Sequence, residues 1–127
     1  MGYSSADKTV LIVDDEAFFR KILRDMVEQE GFTVIAEAAD GIDAVEAFRR
    51  HRPSVILMDI YMPKKSGIEA TENILAIDGK AKVVICSGQN YDDDAETCLA
   101  GGARYVIQKP FIKEEVVEII NRVIGEE

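Results

Sequence analysis

The chain has 127 residues, of which 47% are hydrophobic and 31% charged, and this length and composition are typical of one compact globular domain. Its formal net charge of −9 and pI near 4.6 argue against sequence-independent binding to nucleic acid or to anionic membranes, because both need a cationic surface. No apolar run approaches the roughly 20 residues that span a bilayer, and residues 1–8 lack the hydrophobic stretch of a secretion signal, so we expect a cytoplasmic protein.

Apolar segments of strand length alternate with segments of helical periodicity along the chain. Strands are predicted near residues 9–13, 33–37, 54–58, 82–86 and 104–108. Helices are predicted near residues 18–30, 42–50, 68–78, 95–100 and 112–123. Strands that are apolar on both faces and separated by amphipathic helices imply a parallel sheet covered on both sides by right-handed crossovers. We therefore predict a doubly wound α/β fold in which residues 1–127 form a single domain, with its core from about 8 to 124.

The first predicted helix carries an apolar stripe whose members are spaced by three and four residues. These members are Phe18, Ile22, Leu23, Met26 and Val27. We assign Phe18 to the core on this basis and leave Phe19 at the surface, where it could support docking of a partner.

Cys86 lies in a predicted buried strand and Cys98 in a predicted helix. Neither has the Cys-x-x-Cys spacing or the nearby histidine of a zinc site. We expect both to be unpaired packing residues, which fits a reducing compartment.

Reactive side chains stand where the predicted strands end. Asp14 and Asp15 follow the first strand, Asp59 closes the third, Ser87 follows the fourth and Lys109 follows the fifth. In an open parallel sheet the carboxyl ends of the strands lie on one edge, where ligands bind, so we expect these side chains to converge. Three carboxylates suit a hard divalent cation such as Mg²⁺. An aspartate at a strand end is also common as a helix cap or turn residue, so each one alone is a weak signal.

The joint order and spacing of these residues resemble the receiver domain of bacterial and archaeal response regulators, from about Lys8 to Ile124. The matching segments are Asp14-Asp15, Asp59-Ile60-Tyr61-Met62-Pro63, Gly67, Ser87-Gly88 and Lys109-Pro110-Phe111. The resemblance implies a flavodoxin-like (βα)5 fold with strand order 2-1-3-4-5. It also implies that Asp59 attacks the phosphoryl group of a phosphohistidine on a partner histidine kinase and becomes an aspartyl phosphate.

The same resemblance implies a bound Mg²⁺ as cofactor. Asp15, Asp59 and the main-chain carbonyl of Tyr61 would hold the ion directly, and Asp14 would hold it through water. The ion would offset charge that develops on the transferring oxygens.

Further site residues follow from the resemblance. Lys109 and Ser87 would bind the other phosphoryl oxygens, and Gly88 leaves its backbone N–H open to an anion. The Lys109–Pro110 bond is cis in the family, although trans is the commoner form of an arbitrary X-Pro bond. Gly67 is predicted to adopt a positive φ near the start of the third helix.

The chain departs from the family pattern in the last strand. Receivers commonly carry Phe or Tyr three residues before the lysine, and this position is Val106 here. Tyr105 lies one residue earlier and should face the other side of the sheet, because side chains alternate along a strand. Either another residue reports phosphorylation to the surface, or a bulge shifts this strand.

Two residues are predicted to modulate the lifetime of an aspartyl phosphate. Tyr61 lies two residues after Asp59, and Gln89 lies two residues after Ser87. We expect the bulky Tyr61 to hinder an attacking water and Gln89 to orient it. Both could instead be ordinary exposed loop residues.

The resemblance extends to stand-alone receivers of the CheY type, which the segment Asp14-Asp15-Glu16-Ala17-Phe18-Phe19-Arg20 matches best. It implies a monomeric signalling phosphoacceptor rather than an enzyme with a turnover of its own. Its partners would be a histidine kinase and a downstream output protein, for which the flagellar motor switch is a candidate.

Other functions share this fold or this chemistry. The receiver could pass its phosphoryl group from Asp59 to a histidine phosphotransfer protein, as a phosphorelay shuttle does. A Mg²⁺-dependent phosphatase of the haloacid dehalogenase type also forms an aspartyl phosphate, but it needs an Asp-x-Asp motif after the first strand, and this motif is absent here. A flavodoxin-like flavin or nucleotide binder shares the fold, yet the sequence has no glycine-rich phosphate loop.

Overall fold

The computed structural model describes residues 8–88 and 93–126, in which strands and helices alternate as predicted. The strands are β1 Thr9–Val13, β2 Thr33–Ala38, β3 Val55–Asp59, β4 Val83–Ser87 and β5 Tyr105–Gln108. The helices are α1 Ala17–Glu28, α2 Gly41–His51, α3 Gly67–Ile77, α4 Asp93–Ala100 and α5 Lys113–Ile124. No helix within the described residues is both long enough and apolar enough to cross a membrane.

The strands form one parallel sheet in the order β2-β1-β3-β4-β5, which confirms the doubly wound prediction. Every residue of β3 and β4 is buried, because helices cover both faces of the sheet. Leu11, Val13, Ile56, Met58 and Ile85 pack with α2, α3 and α4 on one face. Val10, Ile12, Leu57, Val84 and Ile107 pack with α1 and α5 on the other.

The prediction that Phe18 packs in the core is wrong, since its side chain is 68% exposed. The core face of α1 is set by Leu23 and Val27, the two buried residues of this helix. Phe19 lies four residues before Leu23 and eight before Val27, so Phe19 rather than Phe18 shares their face. The two adjacent phenylalanines therefore exchange the positions predicted for them.

Gly67 also differs from its prediction, because it is not among the residues with positive φ. A glycine is needed there for a close approach of two backbone segments. The Gly67 N–H donates to the Ile60 carbonyl at 2.7 Å, and a Cβ at Gly67 would lie 2.0 Å from the Asp59 carbonyl oxygen. The start of α3 is thus pressed against the end of β3, at the backbone carbonyl of Asp59.

Gly67→Ala is expected to lower the free energy of unfolding by about 2–3 kcal/mol, because its methyl group would push α3 away from Asp59. Urea unfolding at equilibrium measures this change. Gly79→Ala is a matched control, since the nearest atom to a Cβ there is the Leu75 carbonyl oxygen at 3.9 Å. An equal effect of the two substitutions would contradict the close-approach explanation.

Candidate functional site

The carboxyl ends of β1, β3 and β5 bring the predicted acidic and basic side chains together. One carboxylate oxygen each from Asp14, Asp15 and Asp59 lies within 4.8 Å of the other two. Lys109 Nζ lies 3.1 Å from Asp14 Oδ2 and 3.4 Å from Asp59 Oδ1. The resulting group of three carboxylates and one ammonium is a compact acidic pocket at the edge of the sheet.

Burial makes the charges in this pocket costly. Asp14 and Asp59 are 1% and 7% exposed, whereas Asp15 is exposed. Burial raises the pKa of Asp59 from 3.8 to about 6, and the charge of Asp14 adds to this shift while Lys109 opposes it. Burial alone would lower the pKa of Lys109, but its contacts with Asp14 and Asp59 outweigh burial and raise that pKa above its usual value.

Asp14 is held in place through its backbone and one of its two carboxylate oxygens. Its N–H donates to the Ala38 carbonyl at 3.1 Å, and Oδ1 accepts from the Glu16 N–H at 2.9 Å. Arg20 Nη1 donates to the Asp14 carbonyl at 2.6 Å. The second oxygen, Oδ2, is buried, and the Lys109 ammonium lies 3.1 Å from it.

One ammonium contacts both Asp14 and Asp59 but cannot neutralise a group of three carboxylates, so the group keeps an excess of negative charge that a divalent cation would offset. The nearby ligands are all carboxylate oxygens, which suit Mg²⁺. The residues present therefore fit the cation predicted from the sequence. Asp15, the exposed member, leaves one side of the group accessible from solvent.

Ser87 and Gly88 lie at the end of β4, beside the pocket. The Lys109 N–H donates to the Ser87 carbonyl at 2.8 Å, so the backbones of these two residues are joined. The Ser87 hydroxyl is buried and donates to the Gly88 carbonyl at 3.3 Å. A Cβ at Gly88 would meet no atom of the described residues within 4 Å. The Lys109–Pro110 peptide bond is cis, as the resemblance implied.

Tyr61 extends from the loop after β3 toward the start of α4. Its side chain is 60% exposed, and its hydroxyl donates to the Asp94 carboxylate. The ring thus connects the segment that follows Asp59 with the helix that follows Ser87. Gln89, the other predicted modulating residue, lies outside the described residues.

Tyr105 and Val106 face opposite sides of the sheet, as predicted. Val106 packs on the α2–α4 side, and Tyr105 packs on the α1–α5 side, where its hydroxyl donates to Glu126 Oε2 at 3.0 Å. Arg104 donates to the same carboxylate at 2.8 Å. The pairing of β4 with β5 runs from Val84–Tyr105 to Ser87–Gln108 without a register shift, so the bulge alternative is wrong.

Phe19 is the site residue that the sequence interpretation missed. Lys109 Nζ lies 4.0 Å from the centroid of the Phe19 ring. The ring also meets Phe111 edge to face, with centroids 6.0 Å apart and an interplanar angle of 88°. Its spacing from Leu23 and Val27 is the signal that could have placed it on the inner face of α1.

Asp59→Asn is expected to stabilise the metal-free protein by about 3 kcal/mol at pH 7 and by almost nothing at pH 4. The pKa of Asp59 is raised in the folded state, so its ionised form favours unfolding. The wild type therefore loses stability through this group as the pH rises from about 4 to about 6. Urea unfolding with a chelator present measures the difference in free energy of unfolding between Asp59→Asn and the wild type. Excess Mg²⁺ should make this difference smaller, because the ion binds and stabilises the folded wild type.

Asp25→Asn is the control for this experiment, because Asp25 is an exposed aspartate paired with Lys21 on α1. Its stability difference from the wild type should stay small and constant over the same pH range. If the stability difference between Asp59→Asn and the wild type does not increase with pH, the electrostatic description of the pocket is contradicted.

Comparison with known proteins identifies the family. The model of the response regulator receiver domain matches residues 10–121. The chemotaxis protein CheY of Thermotoga maritima is 40% identical, over 91% of this chain and 97% of its own length. The CheY of Bacillus subtilis is 39% identical with the same coverage.

Solved structures agree with this match. The CheX–CheY complex of Borrelia burgdorferi, solved with BeF3 and magnesium, has a chain that aligns with a TM-score of 0.88 at 35% identity, covering 93% of this chain and 90% of that one. A receiver domain of a Pseudomonas aeruginosa sensor kinase, with magnesium coordinated in its active-site cleft, gives 0.85 at 30% identity, covering 94% and 98%. This chain therefore belongs to the response regulator receiver family of two-component signalling and is homologous to the CheY chemotaxis proteins.

Proposed function

We propose that this receiver accepts a phosphoryl group on Asp59 from a histidine kinase in a Mg²⁺-dependent reaction. The observation that carries the proposal is the Lys109 ammonium, 3.4 Å from Asp59 Oδ1 inside a group of three carboxylates. A reaction that places further negative charge at Asp59 would use both the ammonium and a cation site at this carboxylate.

Asp59 acts as the nucleophile. One of its carboxylate oxygens forms a bond to phosphorus as the phosphorus–nitrogen bond of the kinase phosphohistidine breaks, and the electron pair of that bond returns to the imidazole. The raised pKa of about 6 still leaves the carboxylate mostly ionised at neutral pH. Burial removes part of its hydration, so less water must be displaced before the phosphoryl group approaches.

Several surrounding residues would stabilise the negative charge of the phosphoryl group. Asp15, Asp59 and the Tyr61 carbonyl would hold Mg²⁺ directly and Asp14 would hold it through water. The bound ion supplies electrostatic stabilisation of the transferring oxygens. Lys109 donates to one phosphoryl oxygen and Ser87 to another, for which the Ser87 hydroxyl must leave the Gly88 carbonyl that it contacts in this structure.

The output is a change in protein contacts rather than a released product. An added phosphoryl group brings a charge of about −1.5 to −2, enough to reposition Lys109 and Ser87. Homology to CheY proteins supports chemotaxis as the pathway, with a chemotaxis kinase upstream and the flagellar motor switch as the candidate output partner. The family match favours this switch over the phosphatase and flavin-binding alternatives.

Incubation with a phosphorylated kinase or acetyl phosphate is expected to label the protein with one phosphoryl group in Mg²⁺ and to leave it unlabelled with a chelator. Asp59→Ala should abolish labelling, because the nucleophile is missing. Intact-mass spectrometry after borohydride trapping of the aspartyl phosphate measures both results. Asp43→Ala is the control, an aspartate at the start of α2, and should be labelled like the wild type. Full labelling of Asp59→Ala would overturn the proposal.

The lifetime of the aspartyl phosphate should depend on Tyr61 and Gln89. Tyr61→Ala is expected to speed phosphate loss severalfold, since the ring no longer obstructs an attacking water, whereas Gln89→Ala should slow it. Phosphate release after removal of the donor measures both rates. Tyr61→Phe keeps the ring without its hydrogen bond to Asp94 and separates obstruction from that contact. Unchanged rates in both alanine variants would rule out this role.

A further inference from the structure

The Lys109 ammonium is held from two sides by groups of different chemistry. Asp14 and Asp59 lie on one side, at 3.1 and 3.4 Å. The face of the Phe19 ring lies on the other side, with its centroid 4.0 Å from Nζ. The Lys109 side chain is only 16% exposed, so water does little to weaken either contact. Attraction between a cation and an aromatic face grows when the cation is desolvated.

The Phe19 ring is itself fixed by two neighbours. Phe111, from the loop between β5 and α5, meets it at an interplanar angle of 88°, and Phe18 meets it at 68° with centroids 5.4 Å apart. Both contacts have the edge-to-face geometry that aromatic pairs prefer. Because Phe19 lies in the first turn of α1 and Phe111 follows Lys109 by two residues, the ring joins α1 to the segment that carries the lysine.

The two kinds of contact respond differently to the reaction. Asp14 and Asp59 are predicted to turn toward Mg²⁺, and Asp59 also becomes the phosphorylated group, so both carboxylates have competing partners. The Phe19 ring binds neither a hard metal ion nor a phosphoryl group. It is therefore the contact that can keep the ammonium beside Asp59 while the carboxylates change partners.

We propose that Phe19 is a positioning residue that holds the Lys109 ammonium by a cation–π contact. The ammonium is then already in place to contact the phosphoryl oxygen on Asp59. This role rests on the proposed function of Asp59 and Lys109. Phe19 itself touches no reacting atom. Its contribution is the placement of the charge that does.

Stepwise fluorination of the ring tests the contact, since fluorine withdraws electron density from the aromatic face with little change in shape. Phenylalanine with one, two or three ring fluorines is inserted at position 19 alone. Rates of Asp59 phosphorylation by acetyl phosphate and affinities for beryllofluoride in Mg²⁺ should fall with each fluorine, to about fivefold below the wild type for the trifluoro ring. A flat series would overturn the positioning role.

The same substitutions at position 48 are the matched control. The Phe48 ring also has a cation over it, the Arg52 guanidinium at 5.0 Å from its centroid, but it lies beside Pro53 and Ser54 and not at the acidic pocket. Fluorination there should leave the rates unchanged. Phe19→Tyr keeps an electron-rich ring and should restore wild-type rates, whereas Phe19→Leu keeps the apolar character and should resemble the trifluoro variant. A fully active Phe19→Leu would also overturn the proposal.

Unfolding measurements separate the contact from the reaction. Fluorination of Phe19 should raise the unfolding equilibrium constant severalfold in the wild type but not in Lys109→Met, which has no ammonium to lose. Equal effects in both backgrounds would show that the ring only packs. If this coupling is present but fluorination of Phe19 does not change the rate of Asp59 phosphorylation, the positioning role is contradicted and the proposed function is unaffected. Labelling of Asp59→Ala would instead remove the proposed function and the positioning role together.

Discussion

Repulsion between carboxylates that water cannot screen is the constraint on which this site depends. Asp14 and Asp59 are buried near each other, and their mutual effect contributes to the raised pKa of Asp59. Lys109 offsets part of this repulsion because its ammonium contacts both. One ammonium cannot neutralise three carboxylates, so the pocket keeps an excess of negative charge. A divalent cation would remove that excess, and a phosphoryl group would restore it, which makes the site sensitive to both.

The topology of the sheet brings this charge to one place. β1 lies between β2 and β3, and the helices that follow β1 and β3 cover opposite faces, so a crevice opens above the carboxyl ends of β1 and β3. Asp14 and Asp59 stand at this crevice, while Lys109 reaches it from the far strand β5. Gly67 supports the arrangement from behind, because its lack of a side chain lets α3 begin against the Asp59 backbone.

The positions of Asp14, Asp15, Asp59, Ser87 and Lys109 could be predicted from the sequence because each closes an apolar strand, and parallel strands present their ends at one edge. The sequence pattern could not decide in the same way which phenylalanine of α1 faces inward. Phe18 and Phe19 fit a spacing of three to four residues almost equally well, and only tertiary packing places Phe19 on the inner face. The prediction of a positive φ at Gly67 was wrong because the glycine is needed for a close approach between the start of α3 and the end of β3. A local sequence pattern carries no information about that tertiary contact. Burial of Asp59, and with it the raised pKa, likewise depends on tertiary packing.

Position 106 carries a valine and not an aromatic residue, which limits how a structural change at the acidic pocket could be transmitted to the surface through β5. Val106 is a short β-branched side chain that packs against the core cluster on the α2–α4 side, and it has no ring that could change orientation. Tyr105 offers no substitute, because its hydroxyl is tied to Glu126 on the opposite face. A displacement passed along β5 would then involve its main chain, which pairs with β4 from Val84–Tyr105 to Ser87–Gln108. Such a displacement moves side chains on both faces of the sheet at once, so α4 and α5 would sense the same event simultaneously.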